Sequence, residues 1–171
     1  MIDVAAVMLS LLMMFSPIWP LGENPALGDP YLIINIETNE LAFIYDGQVQ
    51  RVYKVASGKE GAATPEGEFT VVVKAENPYY RKLDIKGGDP HNPLGTRWIG
   101  FDAEGTDGRI YGIHGTNRPD SIGSHVTAGC VRLPNEEVEQ LFDQIPLGTK
   151  VHILKRKDAS FEQLAIDAGA M

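Results

Sequence analysis

Apolar positions in this chain fall into one long run near the start and then into short runs separated by turn residues. The pattern predicts strands far more often than helices. Residues 31–36 (YLIINI) are apolar and β-branched, as in a strand buried on both faces. Glu37-Thr38-Asn39-Glu40 reads as a turn into a strand at 41–45. Asp46-Gly47 follows, the pair favoured where a type I′ hairpin turn needs positive φ at both central residues. A third strand over 48–56 completes a meander. Residues 57–68 form a loop of glycines and small residues, and 69–74 (FTVVVK) are a further strand. Residues 75–96 hold Asn77-Pro78, Gly87-Gly88, Asp89-Pro90 and Asn92-Pro93 and predict an irregular excursion, the kind of long loop that often carries function. Two short strands, 97–102 and 109–114, flank a turn at 105–108. Another loop covers 115–128, and a strand is expected to begin at Cys130.

Helical spacing is confined to the last third. Val138, Leu141, Phe142 and Ile145 share one face, Asn135 is placed as the N-cap, and Glu136 and Glu137 suit the positive end of the helix dipole. Pro146 ends that helix. Residues 150–154 predict a last strand, and Ser160-x-x-Gln163 resembles a capping box for a short terminal helix. The fold class is therefore mainly β with one or two short helices. There are no internal repeats.

The 171 residues favour one domain of ordinary globular composition, with 43% hydrophobic and 22% charged positions. The 18 glycines and 11 prolines agree with a turn-rich, strand-rich fold. A net charge of −8 and the lack of a long basic run argue against a nucleic-acid partner. Val4 to Phe15 (VAAVMLSLLMMF) is apolar apart from Ser10, which is shorter than the about 20 residues of a membrane span and suits a signal-peptide core. It has no preceding Lys or Arg and carries Asp3, and Ala26-Leu27-Gly28 is a weak cleavage site. We read residues 1–30 as a signal peptide or membrane anchor plus linker, with residues 4–19 as the apolar tether; a buried N-terminal helix is the alternative. The expected location is extracytoplasmic. The catalytic domain is read over 31–155 and a C-terminal tail over 156–171.

Cys130 is the single cysteine, so no internal disulfide can form; a lone thiol is either buried and inert or a reactive centre. His114 ends one predicted strand and Cys130 begins another. Two such strands side by side would bring an imidazole to a thiol, which needs a base to become a nucleophile. Gly129 would let a ligand approach the backbone, and N–H groups near Gly129 and Cys130 would hold an oxyanion. The bland alternative is a buried cysteine and a satisfied histidine, and the generic pattern leaves the two evenly weighted.

The wider pattern is more specific. His114-Gly115-Thr116, a loop, and Thr127-Ala128-Gly129-Cys130-Val131-Arg132 resemble the active-site signature of the YkuD-like L,D-transpeptidases: a His, a variable loop, then Ser or Thr, any residue, Gly, Cys, an aliphatic residue and Arg. Thr64-Pro65-Glu66-Gly67-Glu68-Phe69 resembles the family's TPxGxF turn, and Asn92-Pro93-Leu94-Gly95-Thr96-Arg97-Trp98 its NPLGxRW segment. The three motifs occur in the family's order, and the resemblance spans 31–155. Ala128 departs from it, since many members carry a His there.

The resemblance implies β-sandwich-like mixed sheets with the Cys and His in a cleft. It implies cross-linking of peptidoglycan stem peptides, with Cys130 as nucleophile, His114 as base and the Gly115 carbonyl orienting the imidazole. Acylation by carbapenems is part of the same expectation. Arg132 is expected to shape the site or pair with a substrate carboxylate, with a structural salt bridge as the equal alternative. Thr127 is assigned to the turn backbone or to substrate. Tyr111 is placed on the strand face of His114, lining the cleft or filling the core. His125 is a loop residue available to substrate or simply solvated. No cofactor and no metal are expected; His114, His125 and Cys130 make a poor ligand set. A monomer is expected. The alternatives are an L,D-carboxypeptidase, in which water replaces the acceptor amine, and a non-catalytic cell-wall binding module.

Overall fold

In the computed structural model, which describes residues 27–171, the described part of the chain forms ten strands and two α-helices. The apolar segment at 4–19 lies outside the described residues. β1 (Tyr31–Asn35), β2 (Glu40–Tyr45) and β3 (Gln48–Lys54) make the predicted antiparallel meander. Asp46 (φ 52°) and Gly47 (φ 66°) form its turn, with the positive φ values that the pair was expected to supply. β5 (Gly67–Glu76), β6 (Arg97–Phe101), β7 (Tyr111–His114) and β10 (Lys150–Leu154) appear where strands were predicted, with β5 longer at both ends. β4 (Ser57–Gly58) and β8 (His125–Thr127) are a short parallel ladder between two stretches read as loops. β9 (Val131–Arg132) follows Cys130 directly.

The strands join in one eight-stranded sheet of order β3-β2-β1-β10-β5-β6-β7-β9. The β1–β10 and β7–β9 pairs are parallel. The sheet curls until its ends meet: Ala56, just past β3, exchanges main-chain hydrogen bonds of 3.0 and 2.9 Å with Arg132 in β9. Curling gives the sheet one enclosed face. Leu32 and Ile34, Leu41 and Phe43, Val71, Ile99 and Phe101, Ile113 and Val131 all point into a single core. Helix α1 (Asn135–Gln144) adds Val138 and Leu141 to it.

The opposite face of β1 and β2 (Tyr31, Ile33, Ala42, Ile44) is covered by Leu164, Ala165 and Ala170 in and after helix α2 (Phe161–Asp167). Burial on both faces explains why β1 reads as a continuous apolar run rather than an alternation.

Two helix ends differ from expectation. Pro134 is the N-cap of α1, and Asn135 is its first helical residue with its side chain turned to other loops. At α2, Ser160 does accept from the Gln163 N–H at 3.2 Å, but the Gln163 amide bonds Asp167 rather than returning to the cap. Only half of the capping box forms, because the i+4 partner on the same helix face competes for that amide.

The far end of α1 has no basic residue in its last turn. Lys74 of β5 supplies the charge instead, with Nζ donating to the carbonyls of Phe142 (2.6 Å) and Ile145 (2.7 Å) over the Phe142 ring. Lys74→Met keeps the stem but leaves those carbonyls unpaired. The expected loss is about 1–2 kcal/mol in urea denaturation, with activity retained.

Candidate active site

The face of β6, β7 and β9 that points away from the core carries the chemistry. Strand alternation puts Ile99, Ile113 and Val131 inside and Trp98, Gly100, Gly112 and His114 outside. Trp98 and His114 are register partners, and their rings stack at 5.6 Å and 16°. The indole lies across Gly112: a Cβ there would come within 2.7 Å of its Cζ2 atom. Its Nε1 donates to the Gly108 carbonyl at 2.8 Å. Two strand glycines that look like weak points are thus the bed for one aromatic wall.

His114 is only 4% exposed. Its Nδ1 pairs with the Gly115 carbonyl at 2.6 Å, so Nδ1 carries the proton. Burial pulls the ring down to about 4, with the Gly115 and Leu94 carbonyls opposing and the Arg132 charge reinforcing the fall. The base form is therefore present throughout the neutral range and is lost only as pH falls through about 4. The acidic limb of kcat/KM is expected near that pH, not near the ordinary histidine value. A pH–rate profile with a limb at 6 or above would contradict it.

Cys130 immediately precedes β9, whose Val131 and Arg132 pair with Ile113 and His114; carried one residue further, that register puts it beside Gly112, about 7 Å along the strand from His114. Its Sγ donates to the Ile110 carbonyl at 3.3 Å, and the Gly112 N–H faces the sulfur. Burial pushes the thiol up, and the Gly112 N–H and the cations Arg132 and Lys82 only partly offset this. At rest the two groups are a neutral thiol and a neutral imidazole rather than an ion pair.

The turn before Cys130 is built from its own residues. Thr127 Oγ1 donates to the Cys130 carbonyl at 2.6 Å and accepts from the Gly129 N–H at 3.1 Å. Thr127 therefore serves the turn, and the Gly129 N–H is engaged and not available to an oxyanion. Gly129 has φ +117°, and a Cβ there would meet the Tyr111 ring at 3.1 Å. Its need for glycine comes from backbone conformation and from Tyr111, not from close ligand approach. Tyr111 lies three positions before His114, an odd step, so regular alternation sets them on opposite faces. The ring nonetheless packs beside Gly129, and its hydroxyl donates to Glu104 at 2.7 Å.

His125 is not brought to Cys130. Its Nε2 pairs with the Ile36 carbonyl at 2.7 Å and its Nδ1 with Asn39 at 3.3 Å, tying β8 to the β1–β2 turn. Arg132 has no carboxylate partner among the described residues. Nη1 reaches Ser121 Oγ at 3.4 Å, and the buried Nε has no hydrogen-bond partner. The expected alternative of a structural salt bridge is thus not what the side chain makes.

Residues 77–96 roof this face. The Asn92 amide donates to the carbonyls of Pro78 (2.8 Å) and Lys86 (3.1 Å), and its oxygen accepts from Leu94 N–H at 2.9 Å, so one buried side chain clasps the excursion. Between roof and sheet lies a cavity of about 460 Å³ whose wall includes Cys130, Trp98, Leu94, Ile110, Tyr80 and Lys82. Of these, residue-by-residue reading found only Cys130 as a site residue. Trp98 and Leu94 stand inside the NPLGTRW segment, which was the available signal; Tyr80 and Lys82 sit in the excursion and had none.

Comparison with known proteins agrees with this geometry. A family model, the L,D-transpeptidase catalytic domain YkuD, matches residues 29–153. YqjB of Bacillus subtilis, named as an L,D-transpeptidase, is 62% identical over 162 residues, covering 95% of this chain and 92% of its own length. YkuD of the same organism, also named as an L,D-transpeptidase, is 36% identical over 134 residues, 75% of this chain and 71% of its own. Among solved structures, the catalytic domain of an Enterococcus faecium L,D-transpeptidase superposes with TM-score 0.59 and 26% identity, covering 75% of this chain and 98% of that one. The chain belongs to the YkuD family of L,D-transpeptidase catalytic domains.

Proposed function

We propose that the protein cross-links peptidoglycan stem peptides outside the cytoplasmic membrane, with Cys130 as nucleophile and His114 as its general base. The observation that carries this reading is the pair of strands β7 and β9. β7 ends at His114 and β9 begins right after Cys130, so a thiol that lines the cavity and a buried imidazole lie near each other on paired strands, with Nδ1 engaged by the Gly115 carbonyl.

In the first half-reaction His114 takes the thiol proton as Sγ attacks the carbonyl between the L-centre of the third stem residue and the terminal D-alanine. The C–N bond breaks, His114 returns the proton to the departing D-alanine amine, and a thioester remains on Cys130. In the second, the amine of another stem's third residue attacks the thioester. His114 accepts its proton, and the thiol is released with a new amide bond. Each half-reaction exchanges one acyl bond for another, so no oxidant or cofactor is required. With the Gly129 N–H held by Thr127, the oxyanion role falls to the Cys130 main-chain N–H in this reading. Arg132 is the group for a stem carboxylate: it lacks an acidic partner among the described residues and has donors left over. Residues 4–19 would hold the enzyme at, or send it across, the membrane.

Mass spectrometry of products from tetrapeptide-stem muropeptides tests the proposal. Cross-linked dimers with release of D-alanine are the expected result. Tripeptide stems without dimers would make water the acceptor and the enzyme an L,D-carboxypeptidase. No reaction would overturn the catalytic reading in favour of a binding module.

A further inference from the structure

Asn135 Oδ1 accepts two main-chain hydrogen bonds, from the Thr116 N–H at 3.1 Å and from the Thr96 N–H at 3.2 Å. The two donors belong to different loops. Thr116 follows Gly115, whose carbonyl holds His114 Nδ1. Thr96 follows Leu94 and Gly95, and the Leu94 carbonyl is the second main-chain group acting on the same ring. One side-chain oxygen therefore links the two loops that present carbonyls to the imidazole.

The space for that oxygen is left by glycines. A Cβ on either Gly95 or Gly115 would overlap Asn135 Oδ1, and Gly95 also has φ +64°. The position is the first residue of α1, one place after the N-cap, so the side chain is not used to cap its own helix. Among the described residues, the hydrogen bonds of Oδ1 go to these loops. Rigid α1, anchored in the core through Val138 and Leu141, thus reaches the base through a single acceptor atom.

We propose that Asn135 is a positioning residue for the base: by pinning the loops at Thr96 and Thr116 it holds the Gly115 carbonyl against Nδ1 and so fixes the tautomer and aim of the His114 ring. The proposal rests on the reading that His114 serves Cys130. It predicts that the acceptor atom matters, not the bulk of the side chain. Asn135→Leu keeps size and removes the acceptor. Asn135→Asp keeps an acceptor at the same place.

The test compares both variants in the full chain. Acylation of Cys130 by a carbapenem is followed by intact mass in single turnover across pH, and the His114 ring is titrated by NMR with His114→Gln for assignment. Asn135→Leu is expected to slow acylation by about 10–100-fold, since small displacements of a catalytic group have effects of that size. Its acidic limb and ring titration should move up from about 4 toward the ordinary histidine value, because water admitted by a loosened loop relieves burial, the largest cause of the depression, and outweighs the weakened contacts to the Gly115 and Leu94 carbonyls. Asn135→Asp should recover most of the rate and keep the wild-type limb. If Asn135→Leu fails to fold, Asn135→Ala removes the same acceptor without bulk and carries the same expectations.

A wild-type rate and limb in the acceptor-less variant would overturn the proposal. Equal losses in the Leu and Asp variants with an unmoved His114 titration would also overturn it, because they would mean only a looser α1. The titration needs no turnover. If His114→Gln acylated normally, the reading of His114 as base would fail while the NMR comparison still decided the role of Asn135.

Discussion

Cys130→Ala is expected to lower the acyl-transfer rate by at least about 10⁴-fold and to abolish the mass adduct with a carbapenem, with little change in melting temperature. In the proposed reaction the sulfur forms the acyl bond, and it is set between the Ile110 carbonyl and the Gly112 N–H. Cys130→Ser should be nearly as inactive. A serine hydroxyl is a far weaker acid than a thiol, and the buried imidazole, held at about 4, is too weak a base to compensate. His114→Gln should lose about 10²–10⁴-fold on its own. The double variant should be hardly worse than Cys130→Ala, since the two groups act in one proton transfer. A Cys130→Ala enzyme that still released D-alanine would require another nucleophile. Product mass spectra decide this directly.

Trp98→Ala is expected to be the most destabilising single change near the site, at about 3–5 kcal/mol in urea denaturation. The indole is 8% exposed, spans Gly112, donates to Gly108 and stacks on His114. The glycines beneath it have no side chains with which to fill the space, so the cavity stays open. Trp98→Phe should recover most of the stability and lose about 1 kcal/mol for the missing Nε1 bond to Gly108. Removing the ring also uncovers one face of His114. The acidic limb of the rate profile should then rise together with the loss of stability in Trp98→Ala, and much less in Trp98→Phe. A Trp98→Ala protein as stable as wild type would show that the indole does not support this face of the sheet.

Local pattern in the sequence makes much of the fold legible. The meander, its Asp46-Gly47 turn, β10 and α1 depend on neighbours in sequence, and their signals lie in alternation, β-branching and turn chemistry. The three motifs pointed to the family that the comparison shows. Less legible were features that depend on what packs across the sheet. Asn135 has the composition of an N-cap, but its oxygen is claimed by two loops nineteen and thirty-nine positions away in the chain. His125 looked like a free loop histidine and is tied to the β1–β2 turn. The Gly129 N–H looked available and is held by Thr127 within the same turn. Tyr80 and Lys82 gave no sign of lining the cleft, because only the fold of residues 77–96 brings them there.

By itself the sequence determined the strand-rich class, the order of the elements and the family, because periodicity, turn residues and motif spacing are properties of neighbouring positions. Tertiary structure alone decided the sheet order that inserts β10 between β1 and β5, the closure of the sheet through Ala56 and Arg132, and the burial that keeps His114 neutral far below its usual range. Those outcomes follow from long-range pairing and from desolvation by distant residues. Neither leaves a periodic trace in the chain.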